Sequence, residues 1–141
     1  MVTSKKVEEI MSFDEKIYCD EELLAVIVYG NELPDKTLFL TPIEKELQVG
    51  YIVRDKDEQI VRHFHKPEER IIHNTSETLI VLKGEIDIDI YSREKFHVGK
   101  WHLKQGNIIV LFSGGHGLYF RDGSVLLEIK QGPYLGLDEK I

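Results

Sequence analysis

The sequence predicts an all-β domain, a sandwich, jelly roll or barrel, and three observations carry that prediction. From Ala25 onward, apolar runs of five to eight residues alternate with turn signals. In Glu85-Ile86-Asp87-Ile88-Asp89-Ile90, isoleucine and acid alternate strictly, the period of a strand with one buried and one wet face. No helical periodicity separates the runs, so the strands connect without crossover helices.

The elements follow in order. Ser4 can cap a short helix through Met11, with Val7, Ile10 and Met11 on one face. Asp20 to Leu24 reads as one further helical turn. Ala25–Tyr29 is the first strand, closed by Gly30-Asn31. Leu47–Val53, a polar turn over Arg54-Asp55-Lys56-Asp57, and Gln59–His65 read as a hairpin. Glu77–Leu82 meets Lys83-Gly84 and continues as Glu85–Tyr91. Phe96–Leu103 ends at Lys104-Gln105-Gly106, and Ile108–Phe112 at Ser113-Gly114-Gly115. Leu118–Phe120 turns at Arg121-Asp122-Gly123, and Val125–Ile129 ends at Gln131-Gly132-Pro133.

The chain's 141 residues fit one domain: lead-in 1–23, barrel 24–130 and tail 131–141. A core of this size needs no disulfide staple. Hydrophobic residues at 42% and charged residues at 30% are an ordinary globular balance. The net charge of −7 argues against nucleic acid as a partner, while leaving room for a small anionic ligand. Cys19 is the single cysteine, so no internal disulfide forms, and it reads as a core or near-surface residue. Met1 to Met11 lacks the apolar stretch of a signal peptide, and no run approaches the ~20 apolar residues of a membrane helix. A cytoplasmic protein without a membrane partner is expected.

His63 and His65 stand two apart at the end of a predicted strand, so both rings share one face. Paired neutral imidazoles suit Zn, Fe, Mn, Ni or Cu, although two surface histidines give the same pattern. Glu77 precedes Leu79 and Val81 on one strand face and so enters an apolar interior. A buried carboxylate there needs a partner such as a cation. Gly114-Gly115-His116-Gly117 lets the backbone bulge and aim the His116 ring. His97 and His102, on a lysine-rich strand, read as surface residues, and His73 as a loop residue.

These residues resemble the two motifs of the cupin superfamily. His63, His65, Glu77 and Gly84 match the first, and Gly106, Gly114 and His116 the second. The resemblance implies a double-stranded β-helix, the cupin jelly-roll barrel, with a short N-terminal helix. It also implies one divalent ion (Fe, Mn, Ni or Zn) held by His63, His65, Glu77 and His116. Phe39-Leu40-Thr41-Pro42, Leu47-Gln48, Gly114 to Gly117 and Glu128 to Tyr134 look like a narrower group of small cupin metalloproteins of mostly unassigned activity. Three features depart from the pattern. The gap from His65 to Glu77 is about seven residues longer than usual, Phe112 replaces a common proline, and one residue is missing before His116. The long gap leaves His73 and Glu69 as substitutes for Glu77.

The insertion after His65 carries Arg70, a candidate catalytic or substrate-holding residue whose alternative is an ion pair with Glu68 or Glu69. Tyr51 and Gln48 are candidates for the pocket lining, with core packing the alternative for Tyr51. Glu128 and Lys130 share the strand face opposite Val125, Leu127 and Ile129. If the apolar face is the core, Glu128 points away from the site. The expected function is a small-molecule metalloenzyme, an isomerase, lyase or oxygenase, acting on a sugar derivative or keto or hydroxy acid. The alternatives are a metal-free sugar-epimerase-type cupin, with histidine as base and tyrosine as acid, and a non-catalytic ligand-binding module. A homodimer is implied by the family resemblance alone.

Overall fold

Leu23 to Val28 is apolar at every position, and such a run suits a strand buried on both faces. The computed structural model, which describes residues 13–141, shows it as β2 (Glu22–Val28). Before it lies β1 (Asp14–Cys19), paired antiparallel. The other strands are β3 (Leu38–Phe39), β4 (Gly50–Tyr51), β5 (Glu77–Tyr91), β6 (His97–Lys104), β7 (Ile108–Leu111) and β8 (Gly115–Lys130). No helix occurs among the described residues, so none there is long and apolar enough to cross a membrane. The fold is all-β: a curled antiparallel six-stranded sheet, half of a barrel, beside the short pair β3–β4.

β5 is the axis. Its first residues pair with β7 and its later ones with β6, while β8 follows its other edge from end to end. Residues paired across antiparallel strands share a face. Ile27, Ile109, Leu79 and Glu128 thus form one row on the inner face, and Ala25, Leu111, Glu77 and Lys130 the next. Val26, Val110, Thr78 and Ile129 form a row on the outer face, beside Val28, Ile108, Ile80 and Leu127. The inner core packs Leu24, Ile27, Leu79, Val81, Ile88 and Ile109. The outer cluster packs Val26, Val28, Val110 and Phe112 under Leu40, Leu47, Val49 and Tyr51.

The inward face of β5 switches from Leu79 and Val81 to Ile86, Ile88 and Ile90. Parity changes because the register shifts around Lys83, where Gly84 has φ +78°. A Cβ on Gly84 would overlap the Ser124 side chain, whose Oγ accepts from Glu85 N at 2.9 Å. Opposite, Asp122 and Gly123 also take positive φ. The turns expected at Lys83-Gly84 and Arg121-Asp122-Gly123 are therefore facing irregularities within two long strands. They bend the β5–β8 ribbon, as bulges do.

Other expectations also change. The helix over Ser4–Met11 lies outside the described residues. Asp20 to Leu24 is not a helical turn: Asp20, at φ +53°, and Glu21 join β1 to β2. β1 itself goes unpredicted, because only Ile17 of its residues is fully buried and the run lacks an apolar signal. Leu47–Val53 keeps only Gly50–Tyr51 as strand, and Gln59–His65 pairs with no strand among the described residues. Alternation alone does not make a strand, which needs an edge to join.

On the outer face beyond the bend, acids of β5 meet cations. Arg121 Nη2 donates to Asp87 Oδ2 at 2.7 Å, and His102 Nδ1 lies 2.7 Å from Asp87 Oδ1. His97 Nε2 lies 2.7 Å from Asp89 Oδ1. Both histidines thus belong to a surface ladder. The Arg121 guanidinium, then His102, holds the Asp87 carboxyl below its usual range. A lowered carboxyl stabilises the fold above its unfolded value near ~3.9, and that contribution fades as pH falls through the folded value. Asp87→Asn is expected to lower Tm by a few degrees at pH 7. In thermal melts across pH, the gap from the parent should close below about pH 4. A gap independent of pH would assign the loss to packing instead.

Candidate functional site

Glu77 begins β5 and His116 lies near the start of β8, where it pairs with Ile90 at the far end of β5. On a straight ribbon thirteen residues of strand would separate them by roughly 40 Å. Instead Glu77 Oε2 and His116 Nε2 are 3.6 Å apart. Two features close the distance. The bend at Gly84 curls the ribbon, and β7 delivers Leu111 beside Glu77 only five positions before His116. Gly114 makes the turn between them at φ +76°, where a Cβ would run into the Tyr91 carbonyl oxygen. Sequence context gave this glycine a role, and the close backbone approach is the reason for it.

Glu77 faces inward, with its side chain 14% exposed. Burial first, then a hydrogen bond and repulsion from Glu128, push its carboxyl up to about 7. Its Oε2 has no hydrogen-bond partner among the described residues. Lys130 Nζ lies 4.0 Å from Glu77 Oε1 and 3.5 Å from Glu128 Oε1. Burial holds the His116 imidazole below its usual range, chiefly against the opposing pull of Glu128. A neutral imidazole offers a lone pair, and at 3.6 Å from Oε2 it is not hydrogen-bonded to it. Two ligands of one tetrahedral ion, each about 2.1 Å from it, stand about 3.4 Å apart. Glu77 and His116 therefore fit one cation.

Their cleft measures about 600 Å³ and is bordered by Asn74, Tyr91, Arg93, Lys95 and the tail from Leu137. Arg93 is tied by its Nε to Glu22 Oε1 at 2.5 Å, and Lys95 by its Nζ to Glu139 Oε1 at 2.7 Å.

The other candidates lie elsewhere. His63 and His65 sit together, ring centroids 5.2 Å apart, on an exposed segment that contributes nothing to the cleft. Among the described residues, no three His, Cys, Asp or Glu side chains stand close enough to hold an ion. Arg70, Glu69 and His73 are exposed and do not border the cleft, and Arg70 forms no ion pair among the described residues. Tyr51 packs in the outer cluster, its ring 6.4 Å from Phe13. Gln48 Nε2 donates to Pro42 O at 2.8 Å and Lys45 O at 3.0 Å, bracing its own loop. Cys19 packs against the inner core, and burial raises its thiol pKa, so it carries no thiolate character.

Glu128 is the correction. It shares the inner face with Glu77, whereas Leu127 and Ile129, taken as core, face outward and are about half exposed. The error has a physical source. The expectation takes the apolar face of an edge strand to be covered, and among the described residues nothing covers this one. Arg93, Lys95 and Asp138 carry no sequence signal, because a turn and the tail bring them to the cleft. No protein-family model, curated protein or solved structure matches this chain.

Proposed function

We propose that the chain is a metal-binding barrel of the cupin type that acts on a small polar molecule, a sugar derivative or a keto or hydroxy acid. The observation that carries the reading is the orphaned, buried Glu77 Oε2 facing a neutral His116 at 3.6 Å in an open cleft. A carboxylate brought to the core in this way needs a cation or a proton. Carboxylate and imidazole suit a divalent Fe, Mn, Ni or Zn ion, which when bound supplies Lewis acidity to a substrate oxygen. In this reading Glu77 and His116 hold the ion, and His63 and His65 complete its shell. An anionic group on the substrate would have to compete for Arg93 with Glu22 and for Lys95 with Glu139 at the rim. Elemental analysis of protein purified without chelator or metal-affinity tag is expected to find about one transition metal per chain. His116→Ala should reduce that content at least tenfold. Metal-free protein that also fails to take up Mn, Fe, Ni or Zn on titration would end the reading.

One observation favours a metal-free acid–base site instead. Glu77, its carboxyl pushed up to about 7, and His116, its imidazole held below its usual range, stand 3.6 Å apart as an acid and a base facing one cleft. Turnover that survives exhaustive chelation would select this alternative.

A further inference from the structure

We infer that two copies of this chain exchange the segment 54–71, each laying it along the open edge of β8 in the other and so closing the half-barrel. The inference rests on the reading of Glu77 and His116 as half of a cation site, and it assigns the other half to the second copy.

All eighteen residues from Arg54 to Ile71 are exposed, among them Ile60, Val61 and Ile71, with Phe64 exposed completely. Both ends of the segment are fastened. Val53 N donates to Thr37 Oγ1 at 2.9 Å, and Gln131 N donates to Ser76 O at 3.0 Å beside the start of β5. A loop of this length without secondary structure of its own is uncommon unless it has a function. Going out and back, it reaches about 30 Å from the body.

The surface that fits it is β8. Among the described residues this sixteen-residue strand pairs only with β5 and its other edge is open, and Leu118, Phe120, Val125, Leu127 and Ile129 on it are a third or more exposed. A long apolar open edge is a pairing template. The outer apolar face is continuous. The rows through Val26 and Val28 lie under Leu40, Leu47 and Val49, then run onto Ile129 and Leu127, which no described residue covers. Strand period supplies the match. In any register that turns His63 and His65 inward, beside the neighbouring rows of Glu77 and Glu128, Ile60 and Phe64 turn outward beside Leu127 and Ile129. Charge agrees. The segment as a whole balances five acids against five bases, but its central stretch 59–66 carries Arg62 and Lys66 and no acid, and the receiving end carries Glu77, Glu128 and Asp138 against Lys130. The segment leaves its own β8 edge unfilled, whereas reciprocal exchange satisfies both copies at low cost. Two such arms with their edges supply the ~20–30 residues a side of a stable interface.

The test mixes two variants of the full chain, one His63→Ala/His65→Ala and the other Glu77→Gln/His116→Ala. Each alone should bind little Co²⁺, read by its visible absorption. Refolded together at equal amounts, random pairing makes half the dimers mixed, each with one intact site of two, so about a quarter of the parent's Co²⁺ capacity should return. If the parent binds Co²⁺ and the mixture recovers none, the segment folds back on its own chain and exchange is overturned. Light scattering gives a second reading free of metal: the parent should be a dimer and Phe64→Asp should shift it toward monomer. Phe64 is completely exposed among the described residues, so the variant leaves their core packing intact, and circular dichroism checks the fold. A monomeric parent, or a dimer indifferent to Phe64→Asp, overturns exchange. A Phe64-dependent dimer that binds no metal upholds exchange and removes the metal reading.

Discussion

Gly114→Val is expected to be among the most destabilising single substitutions in this protein, by roughly 3–5 kcal/mol, with a Tm loss of roughly 10 °C or more. Two independent penalties meet at this residue. Its φ of +76° is one that a β-branched side chain adopts only under strain. Its Cβ would run into the Tyr91 carbonyl oxygen and reach Leu24 Cδ2 at 3.4 Å. Tyr91 ends β5 and Leu24 lies in the inner core, so neither yields without moving a strand. Neighbouring glycines separate the penalties. Gly106 has φ +89° but open space around a Cβ, so Gly106→Ala should cost only about 1 kcal/mol. Gly117 has neither constraint, and Gly117→Ala should fall within about 0.5 kcal/mol of the parent. Denaturant titration of the three would show the gradient. Equal losses at Gly114 and Gly117 would mean that the approach to Tyr91 does not govern this turn. Because Gly114 sets the path to His116, its substitution should also lower cation affinity in whatever fraction folds.

What the sequence disclosed and what it hid divide along one physical line. Period two was legible wherever a strand had a covered face, as in Ile86, Ile88 and Ile90, all buried. The glycine context of His116 and the inward glutamate at Glu77 were legible too, because buried carboxylates and glycine-flanked histidines carry a strong local cost. Hidden were features set by strand partners. Gln59–His65 has the alternation of a strand and pairs with no edge among the described residues. Leu127 and Ile129 have the composition of a core face and are left half exposed, which reversed the reading of Glu128. Lys83-Gly84 has the residues of a hairpin turn, yet β8 opposite carries its own irregularity, and together they bend one ribbon. Local chemistry specifies a preference, and the neighbour across the sheet decides how it is used. Whether His63 and His65 join Glu77 and His116 is a question of the same kind, decided by which edge the segment finds.

Glu77→Gln should make the protein more stable at pH 8 while abolishing its response to divalent metal. The folded Glu77 carboxyl titrates near 7, against about 4.3 for an unfolded glutamate. Below about pH 4 both states hold the proton and the residue contributes no difference. As pH rises from about 4.3 to about 7, the unfolded chain ionises freely while burial and Glu128 resist ionisation in the fold. Stability therefore falls across that window and levels off above it, by at most about 4 kcal/mol and less where the side chain meets the open cleft. An amide does not ionise, so the variant escapes this loss. His116 acts in the opposite direction, losing stability as pH falls below its unfolded value, but parent and variant share it and it drops out of the comparison. Unfolding by urea at pH 4.5 and pH 8 should give matching curves at the lower pH. At the higher pH the variant should be more stable by roughly 2–3 kcal/mol. Adding Zn²⁺ or Mn²⁺ at a hundred times its Kd should then raise the parent by about 2.7 kcal/mol and leave the variant unmoved. A variant less stable than the parent at pH 8 would show that the carboxylate is well paired without a cation. A variant that gained as much from the metal as its parent would place the ion somewhere other than Glu77.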